Sequence, residues 1–238
     1  NSTVQQINGQ MNVYGNSAAN AGGLVGRLST ALATDHNYIK KSHNTGNVIA
    51  LGGSSSGAGG IAGILKLQSS IEDSWSSGNI EVITSAGNAG GLVGVVANNA
   101  TITRSYSRAN VLKTTFSGSA GVGGLVGQLV GSVTDSYATG SVTGISNVGG
   151  IVGYAWVGSV NRVHATGRVT ATGVNIGGAL GRSAITVSNC FYDRTTTTIS
   201  SGSYCTGLTS AQMILPSSFT TFNFSTIWNM GTLFPELQ

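Results

Sequence analysis

Seven acidic side chains are spread over 238 residues: Asp35, Glu72, Asp73, Glu81, Asp135, Asp193 and Glu236. Hydrolysis of a glycoside needs two carboxyls held at a fixed separation, about 5–9.5 Å. Glu72 and Asp73 are chain neighbours and would point apart on a strand. Asp73 and Asp135 fall at the same position of a repeat, but Arg104 occupies that position between them. A water or substrate would have to sit where the arginine is. Lyase chemistry needs a basic residue beside a Ca²⁺-binding acid cluster; Arg104 and Arg108 could supply the base, but the acids are too scattered to hold the cation. His43 and His164 share a repeat position four repeats apart, too far to hold one metal ion. Gly-rich stretches here lack the Lys-Ser/Thr of a phosphate loop. No catalytic, cofactor-binding or metal-ligating residue is assigned, and the chain reads as non-enzymatic.

The elements that carry these residues are set by internal repetition. A Gly-Gly block begins at Gly22, Gly59, Gly90, Gly123, Gly149 and Gly177, at spacings of 37, 31, 33, 26 and 28 residues. Between the blocks runs a step of the type Ser-aromatic-x-x-Gly, as in Ser74–Gly78 and Ser136–Gly140. A β-branched residue stands three positions before each step, at Ile39, Ile71, Ile102, Val133 and Val160. Another follows it at Val48, Ile80, Val111, Val142 and Val169. Short β-branched runs bounded by Gly are strands. A unit of about thirty residues cannot bury its own apolar face, so units must stack. A propeller blade would need four strands in that length, which is cramped. The expected fold is therefore all-β, a parallel β-solenoid of about six to seven coils over residues 1–187. Gly is expected at the corners, where positive φ is free of cost to it.

Stacking turns repeat positions into vertical files. One file carries Lys41, Asp73, Arg104, Asp135 and Arg162, whose charges alternate in sign. It is expected to form a charge ladder along one outer edge, fixing register more than adding stability, since exposed pairs are worth about 0–1 kcal/mol each. The next file carries His43, Trp75, Tyr106, Tyr137 and His164. It is either a structural ladder of stacked rings or an outward stripe suited to binding.

Composition narrows the class. Charged residues make up 8% of the chain and Pro only 2 positions, against the usual signature of disorder. The net charge of +4 comes from dispersed residues, with Lys40-Lys41 the one adjacent pair, so a nucleic-acid stripe is not expected. No apolar run reaches the 18 residues of a membrane span. The tail changes character at Ser188. Cys190 and Cys205 bracket a Thr/Ser-rich excursion and are expected to form a disulfide in an oxidising compartment. Thr209–Met213 resembles a capped helical turn stopped before Pro216. Phe219, Phe222, Phe224, Trp228 and Phe234 follow. Residues 188–238 are thus expected to be a disulfide-linked excursion and a C-terminal cap packed on the last coil.

The blocks GGLVG and GSVTDSYATGSV, with the ending CFYDRTTTT…TGLTSAQM…LFPELQ, resemble GLUG-motif repeat proteins, a group that includes filamentous-haemagglutinin-like bacterial adhesins and non-catalytic parts of IgA-cleaving proteases. The resemblance covers nearly the whole chain. It implies an extracellular structural or adhesive module on a bacterial surface, with neighbouring repeat domains, further copies, or a host protein or cell-surface glycan as partners. It brings no catalytic residue and no cofactor. Ala179 and Leu180, Ala109 and Val163 depart from the repeat pattern. Two alternatives carry different tests. A subunit stacking end to end would form filaments, and a polysaccharide-binding or lyase-like β-helix would act on sugars.

Overall fold

The computed structural model describes all residues except 1, 16–19, 33, 52–56, 84–86, 116–117, 119 and 200–203. It is a parallel β-solenoid of six coils. One face stacks Val13–Gly15, Val48–Ala50, Ile80–Val82, Val111–Lys113, Val142–Gly144 and Val169–Ala171 in chain order. A second face stacks the strands that open each Gly-Gly block, from Ala21–Gly22 to Ile176–Gly177. The third and widest face includes two long strands, Val126–Ala138 and Val152–Ala165, and continues through Leu180–Ser183, Thr186–Asp193 and Thr206–Leu208.

The apolar files form as the repeat demands. Ile39, Ile71, Ile102, Val133, Val160 and Val187 pair one above another. Backbone bonds of 2.8–2.9 Å link Ile61 to Leu92, Leu92 to Leu125, Leu125 to Ile151 and Ile151 to Ala179. These residues fill one core, and Val48, Val82, Val111, Val122, Val142 and Val148 fill a second.

The glycines act differently from expectation. Among the described glycines only Gly118 and Gly158 have positive φ. The Gly-Gly blocks are instead sites of close approach. A Cβ on Gly124 would overlap the Gly150 carbonyl oxygen and sit 3.0 Å from Ala138 Cβ. Gly91 in the same file would meet Ser107 and the Gly124 carbonyl. Neighbouring coils touch backbone to backbone there, and any side chain would part them.

Positive φ belongs to the charged file. Lys41, Asp73, Arg104, Asp135, Arg162 and Asn189 all turn the corner at φ between 45 and 50°. Left-handed geometry costs an L-residue roughly 1–2 kcal/mol. The serine that follows offsets part of it by replacing the bonds lost at the turn. Ser74 Oγ donates to the Glu72 carbonyl and accepts the Ser42 N–H, and Ser105 and Ser136 repeat the pattern. In the last coil the same file holds Cys190, disulfide-bonded to Cys205 across a Cα–Cα distance of 4.9 Å. That is one rung of the stack, because Thr206–Leu208 pairs with Phe191–Asp193 as the start of another turn.

The tail forms the capped turn at Ser210–Met213, with Thr209 and Gln212 exchanging the two bonds of a capping box. A 3₁₀ turn at Pro216–Phe219 and an antiparallel pair, Trp228–Met230 with Pro235–Leu237, complete it. Its aromatic residues reach beyond the last coil. They lie along the flank of the solenoid against Phe191, His164 and Tyr137. The physical reason is that the flank offers aromatic surface on three successive coils.

Candidate functional site: the aromatic ladder and its flanking cleft

The file after the charged corner is a continuous ring stack. Centroids lie 4.3 Å apart for His43–Trp75, 5.8 Å for Trp75–Tyr106, 4.8 Å for Tyr106–Tyr137 and 5.1 Å for Tyr137–His164, with planes within 5° of parallel. Strand spacing of about 4.8 Å dictates this, since rings on facing rungs have no other low-energy arrangement. The consequence for binding is geometric. The faces from Trp75 to Tyr137 are spent on each other, and the edges are what remains for solvent or ligand.

The tail divides the stack in two. Trp228 and Phe234 pack on Tyr137 and His164, which are buried. Burial pushes the Tyr137 hydroxyl up to about 12. It also pushes His164 down to about 4, against the opposing pull of the Pro235 carbonyl at 2.7 Å from Nε2. His164 Nδ1 is buried without a partner. His43, Trp75 and Tyr106, at the other end, stay half-buried.

The charged file resolves into discrete pairs rather than an unbroken ladder. Arg104 grips Asp73 through Nε–Oδ1 at 2.6 Å and Nη2–Oδ2 at 3.2 Å. Arg162 grips Asp135 the same way at 2.6 and 2.7 Å. Each fork raises its guanidinium pKa, chiefly through the hydrogen bond to the carboxylate. Arg104 also lies 3.8 Å from Glu72. Lys41 forms no ion pair among the described residues, and Lys40 instead meets Glu72 at 3.1 Å. A guanidinium forks one carboxylate fully, so it turns to one neighbour and leaves the other. Asp135 differs from Asp73 in a second way: Trp228 Nε1 donates to its Oδ1 at 3.2 Å, and the tail buries it.

Where the tail ends, it leaves a cleft of about 410 Å³ lined by Asp73, Trp75, Arg104, Tyr106, Thr226, Ile227, Leu237 and Gln238. Sequence reasoning supplied one wall and missed the other. The tail aromatics were the available signal, because they had to find apolar partners and the ring file was the longest such surface. A second omission is Trp156. Opposite the step from Leu129 to Val130 its strand carries one extra residue, and Trp156 is the unpaired residue of that bulge. It is 54% exposed and meets Tyr154 edge-on at 5.5 Å, while Arg182 lies over the Tyr154 ring. Thirteen residues separate Gly123 from Ser136 but fourteen separate Gly149 from Val163, which is the extra residue in the sequence.

Six parallel coils, three faces and inward files in strict register define the class: a β-solenoid repeat protein. Residues 118–143 match the family model described as the GLUG motif, so the chain carries that motif. It is 37% identical over 110 residues to a candidate Gly-rich membrane protein of Evansella cellulosilytica, covering 42% of this chain and 13% of that one. It is 34% identical over 187 residues to Halomucin of Haloquadratum walsbyi, covering 75% of this chain and 2% of that one. The chain thus spans a small part of either relative. The crystal structure of a candidate immunoglobulin A1 protease from Bacteroides ovatus aligns at a TM-score of 0.65, over 96% of this chain and 74% of that one. At 18% identity that likeness concerns the fold alone. No helix among the described residues is long and apolar enough to cross a membrane.

Proposed function

We propose that this chain is a non-catalytic, exported β-solenoid module of a long bacterial surface or secreted protein, and that it serves as a rigid spacer with an adhesive flank. One observation carries the non-catalytic half. The two acids that share a file, Asp73 and Asp135, are each held in a bidentate arginine fork. Carboxylates so committed tie one coil to the next, with both oxygens of each held by a guanidinium. Support for the spacer role comes from six coils paired in parallel one on the next, and from relatives much longer than the chain. The similarity to a membrane protein and to Halomucin favours an exported setting. The half-buried run of the aromatic ladder favours the adhesive role.

The test has two arms. Immobilised chain should retain cells or glycan-coated particles under flow. Polysaccharides and immunoglobulin A1 incubated with it should show no new reducing ends, no ultraviolet-absorbing unsaturated ends and no cleaved peptide. Turnover of any of these would overturn the non-catalytic reading, and failure to retain any surface would overturn the adhesive one.

A further inference from the structure

We infer that the cleft between the aromatic ladder and the tail is a binding site for a neutral oligosaccharide bearing vicinal hydroxyls. The inference deepens the adhesive reading above by naming its ligand and its place. At about 410 Å³ the cleft falls within the span of small-ligand sites, roughly 300–1,000 Å³. Its lining mixes what a sugar presents. Ile227 and Leu237 offer apolar surface to C–H groups. The Asp73–Arg104 fork sets an acceptor beside donors at a fixed spacing, which matches two adjacent hydroxyls. Gln238 adds an amide whose Nε2 is already committed to the Trp228 carbonyl at 3.0 Å, so its carbonyl oxygen is the group left for a ligand.

Ring stacking on the sugar is not the mode here. Trp75 lies between His43 and Tyr106, and Tyr106 between Trp75 and Tyr137. What these residues bring to the cleft are therefore ring edges rather than faces. Such edges read hydroxyl positions rather than sugar faces.

Charge selects a neutral ligand. Arg104 is the cation of the lining, and Asp73 and Glu72 already neutralise it. A uronate or sulfate group would compete with those carboxylates for the guanidinium and gain little.

Three tryptophans make the test direct, because Trp75, Trp156 and Trp228 each give one indole N–H signal by NMR. The intact chain is titrated with cellotetraose, maltotetraose, mannotetraose and galactotetraose, and separately with oligogalacturonate and a heparin tetrasaccharide. A neutral sugar should shift the Trp75 signal and leave Trp156 still. Asp73→Asn keeps the corner, since Asn accepts positive φ readily, and should weaken binding at least tenfold while circular dichroism and the thermal midpoint stay near wild type. Trp156→Ala should bind as wild type. The inference is overturned if no neutral sugar moves Trp75 at millimolar concentration, if the anionic sugars bind more tightly, or if Trp156→Ala abolishes binding. Retention of cells that persists in Asp73→Asn would refute the cleft and spare the adhesive reading. Sugar binding at Trp75 by a chain that retains no cells would do the reverse.

Discussion

Two arginine forks of identical design should differ several-fold in what they contribute. Asp135 keeps 5% of its side-chain exposure and Asp73 keeps 35%. The difference is the tail, which lays Trp228 over one fork and stops short of the other. Removing Arg162 leaves a carboxylate buried with one neutral donor, a loss of about 3–5 kcal/mol. Removing Arg104 leaves Asp73 in contact with water, a loss of about 0–1 kcal/mol. Leucine is the informative replacement because it keeps the apolar stem. Both sites have nearly the same φ, 50 and 45°, and Leu67 already occupies φ 50° in this chain, so the backbone cost cancels in the comparison. Arg162→Leu should therefore fall below Arg104→Leu by about 2–5 kcal/mol. The assay is urea unfolding followed by circular dichroism, with the midpoints compared at a common slope. Adding Asp135→Asn to Arg162→Leu removes the buried charge and should recover more than half of the loss. Equal effects of the two arginine substitutions, or no recovery in the double variant, would refute the claim that the tail changes the value of the fork.

Other consequences are open to simple measurement. Gly124→Ala forces two coils apart and should cost about 1–3 kcal/mol, as overpacking does, seen as a lower thermal midpoint with circular dichroism otherwise unchanged. His164 titrates near 4 when folded, below its ordinary 6.5, so the unfolded chain binds the proton first. Its share of stability is present above pH 6.5 and is lost as pH falls, by about 2 kcal/mol at pH 5; His164→Phe should flatten that part of the profile between pH 7 and 5. Reducing the bond between Cys190 and Cys205, which closes 15 residues, should cost about 3 kcal/mol, read as a lower urea midpoint in reductant.

Much of this architecture is legible in the residues because stacking converts sequence period into space. The file from Ile39 to Val187 and the ring file from His43 to His164 follow from spacing alone. The disulfide is expected from two cysteines bracketing a short excursion, and the structure adds that they stand on successive rungs. What spacing could not give was dihedral angle. Charged residues rarely turn a left-handed corner, so Lys41, Asp73, Arg104, Asp135 and Arg162 read as an edge rather than as the bend itself. The glycines, which usually make such bends, were needed for contact between coils. Nor could a period place the tail, since residues 209–238 do not repeat. Their docking depends on a match between tail side chains such as Phe219, Phe222, Trp228 and Phe234 and three coils, which no local pattern encodes. The cleft inherits that gap: Trp75 and Arg104 are visible as members of files, while Ile227, Leu237 and Gln238 become a wall only when the tail is in place.

The stack itself can be tested with cysteine pairs on the exposed file of Asn47, Asn79, Asn110 and Ser141, where each side chain or N–H bonds its neighbour on the next coil. Adjacent coils lie about 4.8 Å apart, within the reach of a disulfide, and alternate coils about twice that, beyond it. Each pair is introduced into the intact chain and its rate of bridging under mild oxidation is followed by gel shift. Asn79→Cys with Asn110→Cys should close readily, and so should Asn110→Cys with Ser141→Cys. Asn79→Cys with Ser141→Cys should stay open. Closure of the distant pair as fast as the adjacent ones, or failure of both adjacent pairs to close, would contradict a solenoid of coils in register.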